Sequence, residues 1–419
     1  MRPGTRRAAG VLRGAALALA AIGLPLGLAG PARAAAPAPE TDAAQCTVGT
    51  TRYTTQPSYV LNSLGILKTW PLATGRGQVV AVVDSGVDTR NAHLQGGVVL
   101  PGKSFVPGPA TADGQGHGTA VAGIIAGQVL PGRSSLYGVA PEARILPVRV
   151  YLNESGTGGE HVPYPPDTAR LAEGIRWAAD HGADVINVSL GVPATNAELP
   201  VLRSAVEYAI HRKHAVVVAS SGNTDGSDTT ALQYPAAFPG VIGVAAADDR
   251  GVVDQWSLHG PQVDVSAPGG NVLVAFFANG DCLAGTDHPY TSWAAPFVSG
   301  LAAQLRQRFP HESVARIAYR IMASADRPRR GERDDVQGWG EIRPYAALTM
   351  TLDPRRAGPP LPGHHEAAAP RPQADLSPLA ARPDPREPVR RQALWWGLGA
   401  VGAAALALVL RPLTARRRR

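Results

Sequence analysis

Aromatic side chains are scarce. Phe, Trp and Tyr make up 5% of the 419 residues, against 47 glycines. That balance excludes a bulky aromatic core and suits close packing of helices on a sheet. Only two cysteines are present, Cys46 and Cys282, so at most one disulfide can form. Acidic residues are missing from both ends. Residues 1–34 carry five arginines (2, 6, 7, 13 and 33) and no acid, and residues 411–419 carry five more (411 and 416–419), again with no acid. The formal net charge is +7, so removing five charges from each end leaves the intervening stretch at −3. The basic balance belongs to the termini. It points to membrane topology and away from nucleic acid. No loop is acidic enough to argue for calcium, and no metal or cofactor is implied.

What is present at the ends follows the same logic. Arg2, Arg6, Arg7 and Arg13 precede an apolar stretch over residues 15–28, and Ala32-Arg33-Ala34 forms a small-x-small site. This predicts a secretory signal over residues 1–34; an uncleaved anchor is the alternative. Residues 394–410 carry no charge, begin near Trp395 and Trp396, and end at Arg411. They predict a transmembrane helix over 393–411, with interfacial tryptophans at one end and a basic cytoplasmic tail over 412–419 at the other. At 1.5 Å per residue the uncharged stretch spans about 26 Å. The hydrocarbon core is about 30 Å, and snorkelling arginines can make up the difference. A buried helix of the domain is the alternative. The part between the two ends is then expected outside the cell membrane, on a single-pass anchor.

Between these ends lie an arm over 35–55, a body over 56–350 and a linker over 351–392 that holds ten prolines and no core-forming pattern. The body alternates two periodicities. Runs at 79–84, 145–150, 185–189, 215–220 and 241–246 are short and rich in Val, Ile and Ala, and read as parallel strands buried on both faces. Segments 168–181 and 198–214 show helical spacing, with Leu171, Ile175, Ala178 and Ala179 on one face and Leu202, Val206 and Ala209 on the other helix's face. This alternation predicts an α/β sandwich with a mainly parallel sheet. Sites in such folds lie at the carboxyl ends of the strands, where Asp84 stands. An exported chain with an even cysteine count favours a Cys46–Cys282 disulfide; two unpaired thiols are the alternative.

Three blocks carry the chemistry. Asp84 lies in Val82-Val83-Asp84-Ser85-Gly86, His117 in Gly116-His117-Gly118-Thr119-Ala120, and Ser292 in Thr291-Ser292-Trp293-Ala294-Ala295-Pro296. A serine hydroxyl becomes a useful nucleophile when a histidine takes its proton and a carboxylate orients that histidine. Ala294, Val298, Leu301 and Leu305 follow at helical spacing, which places Ser292 near a helix start where free N–H groups favour negative charge. Pro296 is expected to fit because first-turn N–H groups lack intrahelical partners.

Taken in this order, the blocks resemble the subtilisin-like serine proteases, the subtilases. The resemblance covers residues 56–348. It implies a three-layer subtilisin-like sandwich and an endopeptidase that needs no metal. It also implies that Asn223, in Ser221-Gly222-Asn223, donates to the oxyanion together with the Ser292 N–H, and that Ser189-Leu190-Gly191 pairs with the substrate backbone. Two positions depart from the family pattern. Val192 replaces a common second glycine, and Tyr290 stands where Gly-Thr-Ser is usual, a strained place for tyrosine if positive φ were needed. Many secreted subtilases carry a larger propeptide; none is expected here. The layout of signal, short arm, protease, proline-rich linker, span and basic tail is similar to that of the mycosins, the subtilases of type VII secretion. That implies a membrane-anchored enzyme processing exported proteins at the secretion membrane complex. The alternative is a structural subunit of that complex with dispensable proteolysis.

Overall fold

The computed structural model describes residues 45–153, 163–193, 195, 197–224, 229–327, 331–364 and 387–415. The expected signal, most of the arm, much of the linker, and residues 154–162 lie outside the described residues.

The strands are β1 (Val79–Asp84), β2 (Lys103–Ser104), β3 (Arg144–Arg149), β4 (Val185–Val188), β5 (Val192–Pro193), β6 (Val216–Ser220), β7 (Gln233–Tyr234), β8 (Ile242–Ala247), β9 (Val265–Pro268), β10 (Val272–Ala275) and β11 (Asp281–Ala284). The helices are α1 (Tyr59–Ser63), α2 (Ile66–Thr69), α3 (His117–Ala126), α4 (Thr168–Asp180), α5 (Leu199–His211), α6 (Thr291–Arg308), α7 (Val314–Ser324), α8 (Pro344–Thr349) and α9 (Glu387–Ala415). Seven strands form one sheet in the order β2-β3-β1-β4-β6-β8-β9, and every neighbouring pair is parallel. All five strands expected from the sequence are there, within a residue of their expected starts.

The sheet is buried on both faces because its central strands β1, β4, β6 and β8 are mostly Val, Ile and Ala. Val80 to Val83 are fully buried, as are Val216 to Ala219. Helices α3 and α6 pack on each other and on the sheet, and α4 and α5 form the other layer. The apolar stripe expected on α4 is the buried one: Leu171, Ile175, Ala178 and Ala179. Full burial of a side chain such as Ile175 is worth about 2 kcal/mol. Asp167 caps the helix by accepting from the Arg170 N–H at 2.9 Å, worth about 1 kcal/mol. Small residues allow the tightest contact. A Cβ on Gly118, early in α3, would lie 2.1 Å from the Gly86 carbonyl oxygen, so any side chain there would push α3 off the end of β1.

The Cys46–Cys282 disulfide is formed. It closes a loop of 236 residues, worth about 5 kcal/mol on the chain-entropy account. The arm is held further by the hairpin of β10 and β11. Gln45 pairs with Leu283 and Arg52 with Gly280, and the Thr54 N–H donates to Asp281 at 2.6 Å. Asp281 also meets His93 at 3.1 Å, and the other ring nitrogen of His93 meets the Gln128 carbonyl at 2.8 Å.

Helix α9 covers the expected span. Among the described residues, no helix is long and apolar enough to cross a membrane.

Candidate active site

Each site residue stands where a strand ends or a helix begins. Asp84 is the last residue of β1 and is fully buried. His117 is the first residue of α3, after Gly116 in the left-handed region at φ 78°. Ser189 to Gly191 follow β4, Asn223 follows β6, and Ser292 is the second residue of α6. The parallel sheet gathers these ends on one edge. A cleft of about 490 Å³ is lined by His117, Ser189, Leu190, Gly191, Asn223 and Ser292, so the sequence-expected residues come together.

His117 Nδ1 and Asp84 Oδ1 are 2.8 Å apart. The same oxygen accepts from the Ser85 N–H at 2.8 Å and from the Tyr151 hydroxyl at 3.0 Å. Three contacts on one oxygen fix the carboxylate, and the carboxylate fixes the ring. The His117 side chain is 11% exposed and its ring lies 4.6 Å from that of Trp293.

Asn223 is oriented by the residue beside Ser292. Its Oδ1 accepts from both the N–H and the hydroxyl of Thr291, at 2.8 and 2.9 Å. With its carbonyl held this way, the amide NH₂ is the group left for the cleft. The Ser292 N–H is at the second position of α6, where no intrahelical acceptor exists. Two donors therefore stand at one helix start. Behind them Asn187 links Ser189 and Ser299, donating to the first at 2.9 Å and accepting from the second at 2.8 Å. That bond ties the end of β4 to α6.

Two expectations change. Pro296 is the sixth residue of α6, beyond the first turn. Its missing N–H would have bonded the Ser292 carbonyl, so the proline frees that carbonyl and is not the cost-free first-turn residue expected. Tyr290 is not strained. Its φ is −114° and ψ 136°, an extended conformation open to any residue. Its hydroxyl donates to Asp287 at 2.9 Å; burial, then that bond, pushes its phenol above the usual range. Val192 sits in β5 and pairs with Tyr234 of β7, so a side chain is accommodated there by an added two-stranded ribbon.

Sequence reasoning missed Tyr151, Trp293 and Asp113. Asp113 accepts from the Ser85 hydroxyl, the N–H groups of Gln115, Gly116 and Thr119, and the Thr119 hydroxyl, all at 2.6–2.9 Å. It joins the turn after Asp84 to the start of α3 and so sets the distance between the two site residues. An acid just ahead of a helix start was the available signal. Tyr151 reaches the site through space, and no local pattern marks it; Trp293 lies inside the Ser292 block, but its contact with the His117 ring is not visible in the sequence.

Comparison with known proteins agrees with this geometry. The subtilase family matches residues 75–340. Mycosin-1 of Mycobacterium tuberculosis is 35% identical over 395 residues, covering 82% of this chain and 84% of the relative. Subtilisin Savinase of Lederbergia lenta is 37% identical over 254 residues, covering 60% of this chain and 84% of the relative. Among solved structures, the MycP3 protease from the type VII (ESX-3) secretion system superposes with a TM-score of 0.62 at 30% identity, over 72% of this chain and 92% of that one. The chain is a serine endopeptidase that belongs to the subtilase family and is similar to its mycosin members.

Proposed function

We propose that Ser292 is the nucleophile, His117 the general base and acid, and Asp84 the group that orients His117. Ser292 Oγ attacks the peptide carbonyl as His117 takes its proton. The oxyanion is held by the Asn223 NH₂ and the Ser292 N–H. The C–N bond then breaks, His117 returns the proton to the leaving amine, and water releases the acyl group by the same route. Substrate backbone pairs with Ser189-Leu190-Gly191 as an added strand. The observation that carries this reading is the 2.8 Å His117–Asp84 bond on the wall of a cleft that Ser292 and Asn223 also line.

We also infer a setting. Residues 1–34 direct export, 35–55 are the arm, 56–350 the protease, 351–392 a spacer, 393–411 a membrane anchor and 412–419 a cytoplasmic tail. The arginine-rich ends and the uncharged 394–410 stretch support this. Substrates are exported proteins, and the partner is a type VII secretion complex, as the names of the similar proteins suggest. Proteolysis rather than a purely structural role is favoured because Tyr290, the departure from the family pattern beside the nucleophile, has ordinary backbone geometry.

The test is fluorophosphonate labelling of the full chain in detergent, with the modified peptide mapped. Modification at Ser292, absent in Ser292→Ala and His117→Ala, is the expected result. A folded wild-type chain that is not modified refutes the assignment. Membrane fractionation of the full chain beside a chain ending at residue 392 checks the anchor: only the former should sediment with membranes.

A further inference from the structure

The cleft does not end at Trp293. A second cavity of about 500 Å³ shares only His117 and Trp293 with the first. Asn223, Ser292 and Ser189 to Gly191 all stand on the first side. The oxyanion and the acyl half of a bound peptide therefore belong there. The leaving amine must take its proton from His117, and His117 is also on the wall of the second cavity. The departing half of the peptide is thus directed across His117 into that cavity.

Its lining is divided. Val274, Phe276, Leu283 and Ala284 of the β10–β11 hairpin, with Trp293, make an apolar floor. The rest of the lining includes Gln115, Gly116, Thr286 and Asp287, with Gln45 and Cys46 of the N-terminal arm as the arm-side wall. That wall is held to the hairpin covalently by the Cys46–Cys282 disulfide, by pairing of Gln45 with Leu283, and by the Gln45 amide donating to the Thr286 hydroxyl at 3.3 Å. Cys282 is buried within β11, so the bridge anchors a surface arm to a fixed point of the domain.

We propose that this cavity receives the side chain of the first residue after the cut, that it favours a large apolar side chain of the Leu or Phe class, and that the disulfide sets this selectivity by holding the arm as its wall. The proposal rests on His117 as proton donor to the leaving amine. Without the bridge the arm near Gln45 keeps hydrogen bonds and, further along, the ring contacts of Tyr53 with Arg133 and His93, and the apolar floor opens to water. With the wall gone, a bound side chain buries less of its apolar surface, so the gain from an apolar residue shrinks.

The experiment uses the full chain in detergent and peptides that differ only in the first residue after the cut: Gly, Leu, Phe or Asp. For wild type, kcat/KM for Leu and Phe should exceed that for Gly and Asp by about tenfold or more, the scale of discrimination by an apolar pocket. In Cys46→Ser/Cys282→Ser the ratio should fall to within about twofold. Ala284→Leu keeps the disulfide but fills the floor, and should reverse the order in favour of Gly. It also keeps the proposal testable if the double variant does not fold. A wild type that is labelled by fluorophosphonate yet shows no preference, or selectivity unchanged in the variants, overturns the proposal and leaves the assignment of Ser292 standing. A wild type that is not labelled overturns both.

Discussion

Among the described residues, two His–Asp pairs share a composition and differ in surroundings. His117 and Asp84 meet at 2.8 Å, and the His117 ring faces a cleft shared with Ser292 and Asn223. His93 and Asp281 meet at 3.1 Å with both side chains fully buried. The second ring nitrogen of His93 is occupied by the Gln128 carbonyl, and the second oxygen of Asp281 by the Thr54 N–H. One pair is open to a substrate on one side. The other joins the N-terminal arm, the disulfide hairpin and the segment after β1. The pair itself does not make a catalyst; what the ring faces decides its use. A pair closed on both sides serves to hold chain segments together, and its removal should be felt as lost stability and not as lost chemistry.

The largest effect should come from breaking the open pair. Asp84→Asn keeps the shape but removes the charge that supports the imidazolium, so kcat should fall by about 10⁴-fold with little change in thermal midpoint, read by peptide hydrolysis and calorimetry. Breaking the closed pair should do the opposite. Asp281→Ala leaves a buried histidine and the Thr54 N–H without their acceptor, at a cost of about 3–5 kcal/mol. Urea unfolding should show this, while the activity of the folded fraction stays near wild type. Asn223→Ala probes the open site one step further. Loss of one oxyanion donor should raise the barrier by about 2.7–4 kcal/mol, in kcat rather than in KM. Asp264 offers a smaller test, a largely enclosed carboxylate that accepts from the Gly243 N–H at 2.9 Å. Burial pushes its pKa up to about 6, opposed by the Gly243 N–H and by Arg333. The folded state therefore holds this proton more tightly than the unfolded chain. Its contribution is complete below about pH 4 and is lost as pH rises through about 6, by at most about 3 kcal/mol. Asp264→Asn should flatten that part of the stability–pH curve.

Much of this was legible in the sequence, for reasons that particular residues show. The strands of the parallel sheet are buried on both faces, so β1, β4, β6 and β8 stand out as apolar runs. β9 is short and holds Ser266 and Pro268, and β2 has only two residues; both exist because a neighbour offers an edge, which no local pattern records. Asp84, His117, Ser292 and Asn223 were legible because each sits in a turn or helix start built of small residues. The residues that position them were less so. Tyr151 reaches Asp84 from the end of a neighbouring strand, and Trp293 borders His117 only because α6 packs beside α3. Pro296 was misjudged and the strain of Tyr290 was left conditional on its φ; both depended on where α6 begins, and helix boundaries are the least certain part of such reading. The closed pair was not legible at all, since 188 residues separate His93 from Asp281.

The central claim is that only the pair facing the cleft does chemistry. The most direct measurement is the hydrolysis rate of one peptide ester by His117→Ala and His93→Ala, each corrected for its folded fraction. The account predicts a loss of about 10⁶-fold for His117→Ala and a rate within about tenfold of wild type for His93→Ala. Comparable losses in both, or a His117→Ala chain that retains its rate, would contradict it.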